Sequence, residues 1–213
     1  LRKAIQRALR ATPVGSHNPD ARDPVLEAIV THGLRDYALG AAAHANSAHA
    51  FSAAMSGIST AMLTWIFFGA EPDTAAHQRF VAHFQELGPY GLVWNPQQRQ
   101  HAAFQAFLRD LQTEVVALRT GAGGLSRTAL LGRLVDEEKI DDTLLGNLIY
   151  QAEMARSDMK NFFRWLTRHA TDDPAMLERM GLEEATTSGA PSLTEAFVQE
   201  TLRTDQSERL MRC

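Results

Sequence analysis

Cysteine is all but missing from this chain: among 213 residues there is one, Cys213, at the last position. That excludes an intramolecular disulfide framework and any zinc cluster built on thiolates, and it makes a reducing, cytoplasmic setting the expected one. A basic excess is missing too. Lys and Arg number 21 against 25 Asp and Glu, for a net charge of -4 and a pI near 6.1. This balance argues against nucleic acid or an anionic membrane as the main partner and favours a small molecule. Long apolar runs are lacking: the longest, residues 61–70, is interrupted by Thr64 and falls well short of the roughly 20 residues that span a bilayer. No signal peptide precedes it. There is no G-x-S-x-G, phosphate loop or dinucleotide fingerprint, and period-two alternation is nearly absent.

What is present is helical patterning over a hydrophobic content of 45%, enough for a substantial core in a single domain. Apolar residues recur at three and four spacing almost throughout, which predicts a mainly α chain. Helices are expected over residues 1–11, 23–43, 50–69, 71–87, 95–119, 141–171 and 192–204, with short ones starting at Ser126 and Pro174. Several boundaries carry a physical signal. Asp23-Pro24 reads as an N-cap followed by proline at the first helical position. Gly69 reads as a C-cap, and Ser192 as the cap of the last helix. Loops are expected at residues 13–20, 88–91 and 186–191, a flexible joint at 121–124, and an acidic turn at 136–142.

Metal-binding signals are weak. The eight histidines (His17, His32, His44, His49, His77, His83, His101 and His169) are scattered. None stands at i, i+4 with a glutamate in metalloprotease fashion, so surface or supporting roles are expected. Trp65, Trp94 and Trp165 sit in apolar surroundings and read as packing. In the long helix, Leu148, Ala152, Ala155, Met159, Phe162, Phe163 and Leu166 form an apolar stripe. Gln151, Glu153, Arg156, Ser157 and Asp158 crowd polar groups into its middle.

In the final helix Glu200 and Arg203 lie three apart, on one face. By itself such a pair reads as a solvated ion pair. Its setting, the segment AFVQETLR behind a capping serine, resembles the K helix of the cytochrome P-450 superfamily, with its structural E-x-x-R pair. The QSE run at 206–208 resembles a variant continuation of that helix in some bacterial members. The resemblance extends backwards in order. The long helix ending at Thr171-Asp172-Asp173-Pro174 is similar to the family's I helix. Residues 50–69 resemble the E helix, and residues 1–5 the end of the C-helix pattern, which puts Arg2 at the arginine that contacts a haem propionate.

The resemblance implies a partial cytochrome P-450 domain over 1–213, running from about the C helix to just past the K helix. It implies a haem-thiolate monooxygenase that binds haem b, takes electrons from a ferredoxin or flavoprotein reductase, and inserts one oxygen atom into a small organic or lipid substrate. Oxygen activation falls to the I helix, where Met154-Ala155-Arg156-Ser157-Asp158 matches the family's A/G-G-x-D/E-T. Met154 and Ala155 then lie against the cofactor, and the hydroxyl and carboxyl stand in exchanged order, as Ser157 and Asp158. A one-residue shift puts Arg156 at the acid position, which resembles peroxygenase-like members whose arginine binds a fatty-acid carboxylate. The cysteine loop of the family is not in this chain, and Cys213, ten residues beyond Arg203, is not assigned as the iron ligand. Two other readings remain beside the enzyme: a haem-free, P-450-like helper protein, and an unrelated helical bundle with a chance E-x-x-R.

Overall fold

The computed structural model describes residue 8 and residues 23–41, 48–87, 98–137, 140–182 and 192–204. Among these residues the regular structure is helical and there is no strand, so the mainly α expectation holds. The elements are α1 (Pro24–Ala41), α2 (Ala48–Leu63), a π-helical segment (Thr64–Phe68), α3 (Ala75–Leu87), α4 (Gln98–Thr120), α5 (Leu130–Glu137), α6 (Asp142–Asp172), α7 (Pro174–Leu182) and α8 (Leu193–Thr204). Arg2, Trp94, Cys213, nearly all of the helix expected over 1–11, and the loops at 13–20, 88–91 and 186–191 lie outside the described residues.

Helix starts follow local chemistry. Asp23 accepts the Val25 and Leu26 amides on one carboxylate oxygen, at 2.9 and 3.4 Å, and Pro24 fills the first helical position, where no amide is needed. Asp141 accepts the Leu144 amide at 2.8 Å, and Asp173 the Met176 amide at 3.1 Å. Ser192 and Glu195 form a reciprocal capping box: the serine hydroxyl accepts the Glu195 amide at 3.1 Å and the glutamate accepts the Ser192 amide at 2.9 Å.

Two starts fall later than the sequence predicts. Residues 71–74 form a turn before α3, with Asp73 at φ 66°, and the Thr74 hydroxyl accepts the His77 amide at 3.2 Å. Ser126 bonds the Thr128 hydroxyl at 2.8 Å in a turn, and α5 begins at Leu130.

The π segment is the feature that periodicity does not announce. Up to Leu63 the helix is regular, although Ser59, Thr60 and Thr64 turn their hydroxyls back onto the carbonyls of Met55, Ser56 and Ala61 at 2.7, 2.7 and 2.8 Å. Such back-bonding bends and loosens a helix. The widened turn ends at Gly69, in the left-handed region at φ 75°, whose amide caps the Thr64 and Trp65 carbonyls. A Cβ at Gly69 would sit 2.6 Å from the Ser126 carbonyl oxygen, while the Gly69 carbonyl accepts the Ser126 amide at 2.8 Å. Only glycine meets both demands.

Two compact units emerge, Leu1–Ser157 and Asp158–Cys213. In the first, α1 packs on α2 and α3 on α4. Phe68, Phe80, Phe84 and Phe107 are fully buried, with Phe107 centred 5.4, 5.2 and 5.1 Å from the other three rings. Their placement follows from spacing, since Ala76, Phe80, Phe84 and Leu87 line one face of α3. The stretch His49–Phe68 is long and apolar enough to cross a membrane by length and composition; here it supplies Met55, Ile58, Leu63, Trp65 and Phe68 to the interior. In the second unit α7 contacts α8, and Trp165 stacks on His169 at 6.0 Å.

Candidate functional site

Helix α6 is 31 residues long, roughly 46 Å at about 1.5 Å per residue, and it carries the polar cluster. Its first half is apolar where it enters the core: Leu144, Leu145, Leu148, Ile149 and Ala152 are all buried. Further along the expected stripe, Ala155, Met159, Phe162, Phe163 and Leu166 are half-buried.

The cluster divides by side. Glu153 is 2% exposed and Ser157 is 9% exposed, and as residues i and i+4 they stand one above the other on the same side of the helix. Asp158 and Gln151 are exposed, and Met154 and Ala155 are half-buried. Ser157 and Asp158, about 100° apart around the axis at 3.6 residues per turn, therefore face different surroundings.

Arg156 is the residue that geometry explains best. Its Nε and Nη2 donate to the two carboxylate oxygens of Glu153 at 3.0 and 2.8 Å, a bidentate fork that suits a planar guanidinium. The guanidinium carbon also lies 5.7 Å from the centroid of Phe84, within reach of the ring's negative face. A carboxylate as dry as Glu153 needs such a partner, because an unpaired buried charge is costly. This pair is what the sequence reading missed. The i, i+3 spacing is visible in the sequence, but its burial is not.

Glu200 and Arg203 also pair as a fork, with Nε to Oε2 at 2.7 Å and Nη2 to Oε1. Here the side chains are 58% and 69% exposed. The hydrogen bond to the arginine, with the Coulomb attraction behind it, holds the Glu200 carboxyl below its ordinary range. Beneath the pair Thr201 is buried, with its hydroxyl on the Phe197 carbonyl at 2.9 Å.

Elsewhere in the first unit, His83 Nε2 lies 2.8 Å from Asp110 Oδ2, and its ring stacks on Phe107 at 5.1 Å. Arg79 bridges Asp110 at 3.5 Å and Glu114 at 2.7 Å. Trp65, buried as its reading as a packing residue requires, donates its indole N–H to the second carboxylate oxygen of Asp23 at 2.8 Å, tying the start of α1 to the π segment. Two open grooves border α1. One, of about 440 Å³, lies against α2 between Tyr37, Ala53, Ala54 and Ile58. The other, of about 680 Å³, is lined by Val25, Ala28, Ile29, Arg35, Ala61 and Asp73 among others.

The residues were tested against the haem that the resemblance implies. Among the described residues there is no thiol, and no group of three or more His, Cys, Asp or Glu side chains converges on one point. Arg2 lies outside them, and the Arg156 fork is filled by Glu153. The donors for a thiolate-ligated haem are therefore not met by these residues. Comparison with family models, with curated proteins and with solved structures finds no match to this chain.

Proposed function

We propose that this chain is part of a cytochrome P-450, an oxidoreductase of the haem-thiolate monooxygenase class acting on a small organic or lipid substrate with electrons from a redox partner. The observation that carries the reading is the ordered pair of signatures: a 31-residue helix and, after it, a serine-capped helix with the segment AFVQETLR, in which Glu200 and Arg203 form a bidentate pair. Haem b would be held by a cysteine loop supplied by sequence other than these residues. When bound it would supply the oxygen chemistry. The chain's own contribution in this reading is the E-x-x-R pair and the I-helix wall of Met154 and Ala155, with the exposed Asp158 as its acid group and the buried Ser157 as its hydroxyl.

The carboxylate-binding alternative at Arg156 draws no support from the geometry, since the guanidinium fork already holds Glu153. The test is to express the complete open reading frame, reduce it under carbon monoxide and record the absorption spectrum. The Soret band of thiolate-bound haem is the expected result. A reading frame with no cysteine loop, or a full-length protein that takes up no haem, would overturn the assignment in favour of a haem-free helper protein.

A further inference from the structure

A hydroxyl group has one proton to give, and the Thr64 hydroxyl faces two acceptors at the entrance to the π segment. Its oxygen lies 2.8 Å from the Ala61 carbonyl oxygen and 3.0 Å from Nδ1 of His77. If Nδ1 is bare, the hydroxyl can satisfy the ring or the carbonyl, but not both. If Nδ1 carries a proton, the ring donates to Thr64 and the hydroxyl is free to donate to Ala61. The ring also interacts with the Ala70 backbone in the sense that favours a ring N–H donor. A backbone acceptor there suits a proton on the other nitrogen, the tautomer in which Nδ1 accepts from Thr64.

The surroundings make this hydroxyl matter. Thr64 is fully buried and opens a segment tethered on three sides: to α1 through Trp65 and Asp23, to the turn before α5 through Gly69 and Ser126, and to α3 through His77. Of the three, only the last runs through an imidazole, whose charge and hydrogen-bonding roles change with protonation. The charged groups near the third are Asp73, which favours the imidazolium, Glu71 on the same turn, and Asp23 on the far side of Trp65.

We infer that Thr64 and His77 form a proton-controlled hydroxyl rotor: the neutral ring accepts the Thr64 hydroxyl hydrogen bond, and the imidazolium turns that hydroxyl onto the Ala61 carbonyl, loosening the last turn of α2 ahead of the π segment. The covalent balance is simple, since one proton arrives at Nδ1 from solvent and only hydrogen-bond direction changes elsewhere. Ala61 and Asp73 both line the 680 Å³ groove beside α1, so the rotor acts at the wall of that groove.

The test uses the full-length protein and two measurements across the His77 titration. Nitrogen-15 shifts of the ring report its tautomer. Hydrogen exchange, corrected for its intrinsic pH dependence, reports the amides of residues 64–69 relative to those of α4. The neutral ring is expected to carry its proton on Nε2, and exchange of the segment is expected to quicken by roughly 2- to 10-fold on protonation, the scale of about one net hydrogen bond. In Thr64→Val the ring should titrate while exchange no longer follows it, and Thr64→Ser should restore the coupling. A neutral ring protonated on Nδ1 overturns the inference, as does coupling that survives in Thr64→Val. The tautomer measurement needs no variant, so the inference stays refutable even if Thr64→Val does not fold.

Discussion

Replacing Gly69 with alanine tests the architecture at its tightest point. The new Cβ would lie 2.6 Å from the Ser126 carbonyl oxygen, 2.8 Å from its nitrogen and 2.9 Å from the Ala129 Cβ, well inside a relaxed heavy-atom contact of roughly 3.5–4.0 Å. Two costs add. Holding a residue with a side chain in the left-handed region costs about 1–2 kcal/mol, and pushing packed neighbours aside costs about 1–3 kcal/mol. The sum, about 2–5 kcal/mol, is a large share of a typical domain stability of about 5–15 kcal/mol.

Gly121 provides the control. It has nearly the same backbone, φ 72°, at the end of α4, but a Cβ there meets nothing within 4 Å. Gly121→Ala should therefore show the backbone cost alone. Urea unfolding of both variants beside the parent gives the comparison, and the expected excess loss for Gly69→Ala is about 1–3 kcal/mol. Equal losses in the two variants would refute the steric argument. No loss in either would refute the left-handed assignment itself.

Three further outcomes follow from the same geometry. Arg156→Ala removes the bidentate cation from the buried Glu153 and should lower stability by about 3–5 kcal/mol in urea unfolding, with Glu153→Met/Arg156→Met recovering most of it. Glu200→Ala, at a pair whose side chains are 58% and 69% exposed, should leave the unfolding midpoint unchanged within error. Burial lowers the His77 pKa from its ordinary value, outweighing the Ala70 and Asp73 influences that raise it, so the folded state binds the proton less readily than the unfolded chain. Stability is therefore expected to fall as pH drops below about 6.5 and to level off under the folded pKa, and His77→Gln should remove that component in pH-dependent thermal unfolding.

Helix starts that rest on a side chain within four residues were legible in the sequence: Asp23-Pro24 and Ser192 cap where expected, and the long helix predicted over 141–171 spans Asp142–Asp172. Gly69 was legible as a helix terminator for the same local reason. The π segment was not, because the widened turn is held by residues far along the chain, His77 and Ser126. The polar cluster of α6 shows the same limit. Spacing placed Glu153, Arg156, Ser157 and Asp158 on one stretch, but which of them lies in the dry interior depends on Phe84 and the packed face of α3. Burial sets Ser157 on the same side of the helix as Glu153 and leaves Asp158 in solvent, a division that spacing alone does not show.

Asp23, Thr74, Asp141, Asp173 and Ser192 each begin a helix with an acceptor that lies within the first turn. Such a start needs nothing from the rest of the molecule, so in a chain emerging from a ribosome each helix can nucleate as soon as its own residues are available. Gly69 is different. Its carbonyl waits for the Ser126 amide, and at roughly 5–20 residues per second that wait lasts on the order of several seconds. During this interval Phe68 has no finished pocket, since Phe80, Phe84 and Phe107 also arrive after it. The segment that ties the first unit together is thus exposed throughout that interval, and it is where a chaperone would find an apolar stretch to hold.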